Sequence, residues 1–313
     1  QWEGFYTAAP DTKSRVVTVN GGYIKGGANY RANDNSNFFF NVGQIMRPPS
    51  FDGVFPNADY DFEEADEILN ESFTSFELGY GFRSSNFKGT INAYHTVWGD
   101  RTLRRSTSID DQGVRIIYSG VEQTHQGIEG EMTWYPSSRL RVKGMFSLGD
   151  WKYTKNFQGD AYFIDNNQPA GTTGTLYLDG VKIGDAAQTV LYLGFDYKLS
   201  SKLSVDLDMM SYDNLHGRFG PLDSEFNSAN NRGSIKLPSW GTADLGATYS
   251  FNLLGYDARA RLNVNNLFDE EYLSQSQTNF HNDGGRTWNG INVENNVYFG
   301  KGTTWNLGLN INF

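Results

Sequence analysis

Taken in single steps, long stretches of this chain alternate between apolar and polar side chains. At residues 304–313, Trp305, Leu307, Leu309, Ile311 and Phe313 share one parity, and Asn306, Gly308, Asn310 and Asn312 the other. A strand sends successive side chains to opposite faces, so this segment has one greasy face and one small, polar face. That pattern fits a half-buried strand in water, or a membrane strand with apolar groups toward lipid and polar groups toward a lumen. It recurs at 21–31, 37–45, 74–83, 86–97, 124–135, 139–152, 185–199, 202–212, 241–251 and 257–266, so eleven strands are expected. In one of them Phe76, Leu78, Tyr80 and Phe82 oppose Glu77, Gly79 and Gly81. In another, Leu203, Val205, Leu207 and Met209 oppose Ser204, Asp206 and Asp208. No helical period competes with these runs.

The connections between strands come in two kinds that alternate. Residues 32–36, 84–85, 136–138, 200–201 and 252–256 are short and rich in turn formers. Residues 46–73, 98–123, 153–184, 213–240 and 267–303 are long. Long structureless loops are uncommon inside a compact soluble domain. Tight turns at one end and long loops at the other are the mark of an outer-membrane barrel. The fold class expected is therefore all-β, a transmembrane antiparallel β-barrel.

Composition sharpens this reading. The chain has 313 residues and no Cys, so neither a disulfide framework nor a thiolate metal site is available. Its mean hydropathy is −0.55, and no window approaches the ~20 apolar residues of a membrane helix. A barrel is the one membrane architecture such a composition can hide, because half of each strand faces water. A net charge of −10 argues against a nucleic-acid partner. The chain opens at Gln1 without a signal-peptide pattern, as a mature or truncated product would.

The long-short alternation also sets direction. The last strand enters from a long loop and runs toward the short-turn end, and so does the strand at 21–31. With eleven strands, the first and last cannot close as an antiparallel pair. Either a strand is missed, with 14–19 the first place to look, or another polypeptide completes the barrel. The second is the expectation here.

With the strands placed, a resemblance can be stated. Asn266-Leu267-Phe268-Asp269-Glu270-Glu271-Tyr272 resembles the Asn-Leu-Phe-Asp-x-x-Tyr signature near the C-terminus of TonB-dependent receptors. The aromatic Phe313 follows 313 − 272 = 41 residues later. Arg47-Pro48-Pro49-Ser50 is similar to the Arg-Ala-Pro-Ser segment of that family, and Ser75-Phe76-Glu77-Leu78-Gly79-Tyr80 to its Tyr-Glu-Leu-Gly-Tyr strand. The resemblance implies a barrel of about 22 strands closed by a plug. Neither the plug nor a TonB box is recognisable here, so residues 1–313 would be the C-terminal part of the barrel, its last eleven strands.

The resemblance also implies partners. They are the N-terminal half of the same receptor as a separate chain, the TonB complex acting through that half, and the lipid bilayer. The barrel assembly machinery would read Phe313, and a surface lipoprotein is a further candidate. The implied location is the outer membrane of a Gram-negative bacterium. The implied activity is energised uptake of a scarce solute such as a siderophore or an oligosaccharide, without cofactor or bond chemistry. A passive porin or binding barrel is the alternative. Haem receptors of this family carry a His between two segments that correspond to 47–70 here, and none is present.

Loops on a rigid scaffold are where ligand recognition belongs. The candidates are Trp98, Arg101, Arg104 and Arg105 in one loop, with Trp151 and Tyr153 at the mouth of another. Tyr212, His216, Arg218, Arg286 and Trp288 complete the set. Aromatic and Arg side chains suit stacking on flat rings and bidentate pairing with acids. For any single one of them, interface aromatics and solvated charges are the better explanation. The acidic run Asp59, Asp61, Glu63, Glu64, Asp66 and Glu67 lacks EF-hand spacing and reads as a solvated loop rather than a calcium site. No Gly-x-Ser-x-Gly or His-Glu-x-x-His occurs, and His95, His125, His216 and His281 are far apart, which disfavours a hydrolase.

Overall fold

The computed structural model describes residues 16–55, 68–109, 111–166, 168–172, 175–220 and 223–312. Eleven strands form the wall, each antiparallel to its neighbours in sequence. They are β1 (Gly22–Asn33), β2 (Ser36–Arg47), β3 (Glu71–Arg83), β4 (Phe87–Ile109), β5 (Gln112–Ser137) and β6 (Leu140–Tyr153). The series continues with β7 (Thr189–Lys198), β8 (Leu203–Asp213), β9 (Trp240–Leu253), β10 (Tyr256–Asn265) and β11 (Thr304–Asn312). Among the described residues β1 pairs only with β2, and β11 only with β10, so the sheet is open at both edges. No strand forms at 16–20.

Strand register converts the alternation into two faces, since residues directly opposite share a side. Tyr80, Ile91, Gly130 and Phe146 lie in one row across β3–β6, and Leu78, Ala93, Ile128 and Leu148 in another. These rows and their continuation form a broad apolar face. In β11, Trp305, Leu307 and Leu309 are 72%, 67% and 60% exposed. A contiguous exposed apolar band marks a surface that another protein or a membrane covers. The opposite face carries the polar groups, which bond across strands. Asn41 donates to Glu77 (2.9 Å), and Ser147 to Glu129 (3.0 Å). Arg141 pairs with Asp196 (2.8 Å), Lys143 with Asp208 (3.2 Å), and the Arg261 Nη2 with Asp206 (2.8 Å).

Two of the expected boundaries need correction. Residues 98–123 are not a loop. β4 and β5 run on beyond the edge of β3 as a two-stranded ribbon, pairing Leu103 with Tyr118 and Ile109 with Gln112. The register shifts between Trp98 and Arg101 and again between Arg101 and Leu103, and Asp100 has φ 57°. Such irregularities change which side each later residue faces, so period-two reading loses phase there. In the other case, Asp185 has φ 74°, and the strand expected from 185 begins at Thr189.

The long connections build small cores at one end of the wall. Val114, Ile116, Tyr118 and Val121 of the ribbon pack with Phe157, Ala161, Leu176, Leu178, Val181 and Phe226. The segment Asp160–Phe163 adds a strand to the ribbon at Val114–Ile117. A second cluster joins Leu215, Ile235, Leu237 and Leu273. A short helix, α1 (Phe51–Val54), follows Pro48-Pro49 and packs with Val17 in a third.

Candidate functional site

On the polar face, at the long-loop end, four strands place one row of side chains across the wall: Phe73, Trp98, Gln123 and Tyr153. Two residues further down each strand lies the row Ser75, Thr96, His125 and Trp151. The next row is Glu77, Tyr94, Gly127 and Gly149. The two glycines leave the space in which Trp151 Nε1 donates to the Tyr94 hydroxyl (2.9 Å). A Cβ at 127 would come within 2.8 Å of Tyr94 Oη, and one at 149 within 2.8 Å of Trp151 Nε1.

Above these rows the wall and two long connections enclose a cleft of about 390 Å³. The strands contribute Trp98, Arg101, Leu103, Gln123, His125 and Tyr153, and the connections contribute Leu176, Leu178, Asp185, Arg218 and Phe219. Arg101 lies over the Trp98 ring, 3.8 Å from its centroid. Burial lowers its pKa, which raises the worth of an anion beside it. Arg218 Nε stands 3.6 Å from Asp185, whose carboxylate also accepts from Gln275 (2.9 Å). Phe219 packs on Tyr153 (5.7 Å) and Phe226 (4.3 Å). The cleft thus combines aromatic walls with two guanidinium groups, an arrangement suited to a flat or sugar-like ligand bearing acidic groups.

Of the residues singled out in sequence, Trp98, Arg101, Tyr153 and Arg218 meet in this cleft, and Trp151 lies beneath it, 5.5 Å from His125. Arg104 and Arg105 stand farther along the ribbon, opposite Ile117 and Ile116, so the three arginines are not one group. Tyr212 stacks on Trp240 (4.0 Å), which stacks in turn on Tyr272 (3.8 Å). The His216 ring is held 3.2 Å from both the carbonyl and the hydroxyl of Ser234, and burial lowers its pKa. Trp288 packs against the second core cluster and meets Phe299 edge-on, and Arg286 is exposed. The acidic run 59–67 and Phe313 lie outside the described residues. Gln123, Asp185 and Phe219 escaped sequence reasoning, which considers His125 only as a hydrolase residue. Only the parity shared by Gln123 and His125 along one strand could have flagged any of them.

The family-like motifs are joints. Asn266, at φ 48°, is buried; its amide donates to the carbonyls of Glu270 (3.0 Å) and Lys301 (3.1 Å) and accepts from Glu270 N (2.9 Å). Leu267 N donates to Ala243 O (2.7 Å), Asp269 accepts from Thr303 N (2.8 Å), and Phe268 is exposed. Tyr272 covers Gly300, where a Cβ would stand 1.9 Å from its ring. Together they pin the end of β10 to the start of β11. At the other motif, Pro48 packs on Gly21, Pro49 is buried, and Arg47 pairs with Glu71.

Residues 6–267 match the family model described as TonB dependent receptor-like, beta-barrel, and the chain belongs to that family. Comparison with curated protein sequences gives no match. Among solved structures, the siderophore receptor PiuA from Acinetobacter baumannii is similar at a TM-score of 0.62 and 15% identity, over 91% of this chain and 35% of its own. The ferric-catecholate import receptor Fiu from K12 E. coli gives 0.60 and 16%, over 92% and 34%. The ferric preacinetobactin receptor BauA, also from Acinetobacter baumannii, gives 0.59 and 18%, over 91% and 35%. The chain spans about a third of the length of these receptors.

Proposed function

We propose that this chain is the C-terminal part of the barrel of an energised uptake receptor in the outer membrane of a Gram-negative bacterium. In this reading the apolar face meets lipid, the polar face lines the lumen, and the long-loop end lies outside the cell. The cleft at Trp98, Arg101, Tyr153 and Arg218 captures a scarce acidic solute, such as a ferric siderophore or an acidic oligosaccharide. Further polypeptide from the same receptor fills the open edges of β1 and β11 and supplies a plug and TonB box. Unpaired edge groups cost several kcal/mol each in hydrocarbon, so those edges call for partner strands. The barrel assembly machinery acts on Phe313, and a surface lipoprotein is a candidate partner on the outside.

The observation that carries this proposal is the cleft, open on the polar face at the end where the long connections gather. Whole-cell uptake of a panel of ferric siderophores and oligosaccharides, with and without an uncoupler, tests it. Energised transport predicts that the uncoupler abolishes uptake and leaves surface binding intact. Uptake unaffected by the uncoupler would mean a passive porin.

A further inference from the structure

The Arg47-Pro48-Pro49 motif and the ligand cleft meet at one buried carboxylate. The Glu71 side chain, 12% exposed, faces the polar side at the start of β3. Its Oε2 accepts from the Arg47 guanidinium and from the Trp98 indole Nε1, the latter at 3.2 Å. The same guanidinium lies 5.4 Å from the Phe73 ring centre and 5.8 Å from that of Trp98. Phe73 and Trp98 are themselves stacked, 4.9 Å apart at 24°. On Trp98 rests the guanidinium of Arg101, one of the two cations of the cleft. Neither Arg47 nor Glu71 lines that cleft.

We infer that Glu71 and Arg47 are positioning residues for the ligand cleft, locking the Trp98 indole in the one orientation that presents Arg101 to an incoming anion. An indole has one donor, and turning the ring over would carry Nε1 away from Glu71 and leave both groups without their bond. The carboxylate therefore selects the ring orientation. Arg47 supplies the counter-charge that makes a buried carboxylate tolerable, and its flat group fills the space beside both rings. The Arg-x-Pro motif then has two tasks, since its prolines end β2 while its arginine fixes a residue of the binding site two strands away.

The inference rests on the cleft being a ligand site, but its test reads Trp98 directly and needs no transported solute. The protein in detergent, labelled with 5-fluorotryptophan, gives a Trp98 fluorine resonance identified by its loss in Trp98→Phe. Iodide and acrylamide quenching, as the difference between wild type and Trp98→Phe, then report anion and neutral access to that ring. Glu71→Gln keeps an acceptor for the indole and should retain the Trp98 resonance, whereas Glu71→Leu should shift or broaden it. Relative to Glu71→Gln, which loses the same negative charge but keeps the acceptor, Glu71→Leu should lower the iodide-to-acrylamide quenching ratio at Trp98 about fivefold. That is the effect of moving the unit charge of Arg101 out of ~4 Å reach of an anion in water. Arg47→Gln, at a side chain 56% exposed, should shift the same resonance, and it is read by the resonance alone because losing its own charge beside Trp98 lowers the ratio in any case. A Trp98 resonance unchanged in Glu71→Leu with a ratio equal to that of Glu71→Gln, or a resonance unchanged in Arg47→Gln should Glu71→Leu not fold, would overturn the inference. Normal brace signals with uptake unaffected by Arg101→Ala would instead count against the cleft as the uptake site.

Discussion

The guanidinium of Arg101 lies 3.8 Å from the centre of the Trp98 ring. Both residues stand on β4, and the contact forms because β4 bulges between them, bringing Arg101 to the side of the cleft. A cation over an indole contributes roughly 0.5–2 kcal/mol, and here it also points at the ligand space. Arg101→Ala removes a charge that would stand beside the anion, worth about 1 kcal/mol at ~4 Å in water and more in a cleft. It should weaken binding of an acidic solute by roughly 3- to 30-fold, whereas Arg104→Ala, farther along the ribbon, should change it little. Equilibrium binding to whole cells distinguishes the two variants.

The two faces of β11 make a second prediction. Leu309, on the apolar face, lies opposite Ala260, and Asn310, on the polar face, lies opposite Arg259. Leu309→Arg near mid-strand should destabilise the folded protein by about 2–4 kcal/mol. Asn310→Arg should cost under ~1 kcal/mol, and that from the like charge of Arg259. Urea titrations in bilayers or detergent measure both, and equal costs would contradict the assignment of faces.

Asn266 closes the corner between β10 and β11 with three bonds from one side chain. Its positive φ also favours Asn over most residues. Asn266→Ala should therefore cost roughly 2–4 kcal/mol, about one unit per lost bond, with buried groups left unmet. The same urea titration reads it, and an effect below ~0.5 kcal/mol would mean the motif does not brace the joint.

His216 gives a pH signature. Burial lowers its pKa in the folded segment, with the Ser234 carbonyl opposing that effect and Lys182 adding to it. The unfolded segment binds its proton first, so local stability is full above pH ~6.5 and is lost as pH falls toward the folded value. Amide exchange at 234–237 should speed up below pH ~6.5 relative to its intrinsic rate, and His216→Asn should remove that dependence.

The wall was legible because each of its residues meets one of two unlike surroundings. Phe76 against Glu77, or Leu309 against Asn310, states the face without any knowledge of neighbours. The cleft was only half legible. Trp98, Arg101, Tyr153 and Arg218 stood out by residue type, but their meeting depends on a bulge at 98–103 and on segments from distant parts of the chain. Asp185, Phe219 and Gln123 are ordinary residues in sequence, and only the folding of 154–188 and 214–239 over the wall makes them lining. Tyr212 and Trp288 had the right chemistry for ligands, yet they stack or pack at loop roots, where aromatic rings serve as joints.

The claim on which the account turns is that solute is captured in the cleft, and the absence of cysteine lets one measurement address it. Phe219→Cys in the cleft and Arg286→Cys at an exposed position outside it can each carry a single fluorescent maleimide. Titration with the solute that the cells take up should change the emission at position 219 and leave position 286 unaltered. A transported solute that leaves position 219 silent would contradict the account.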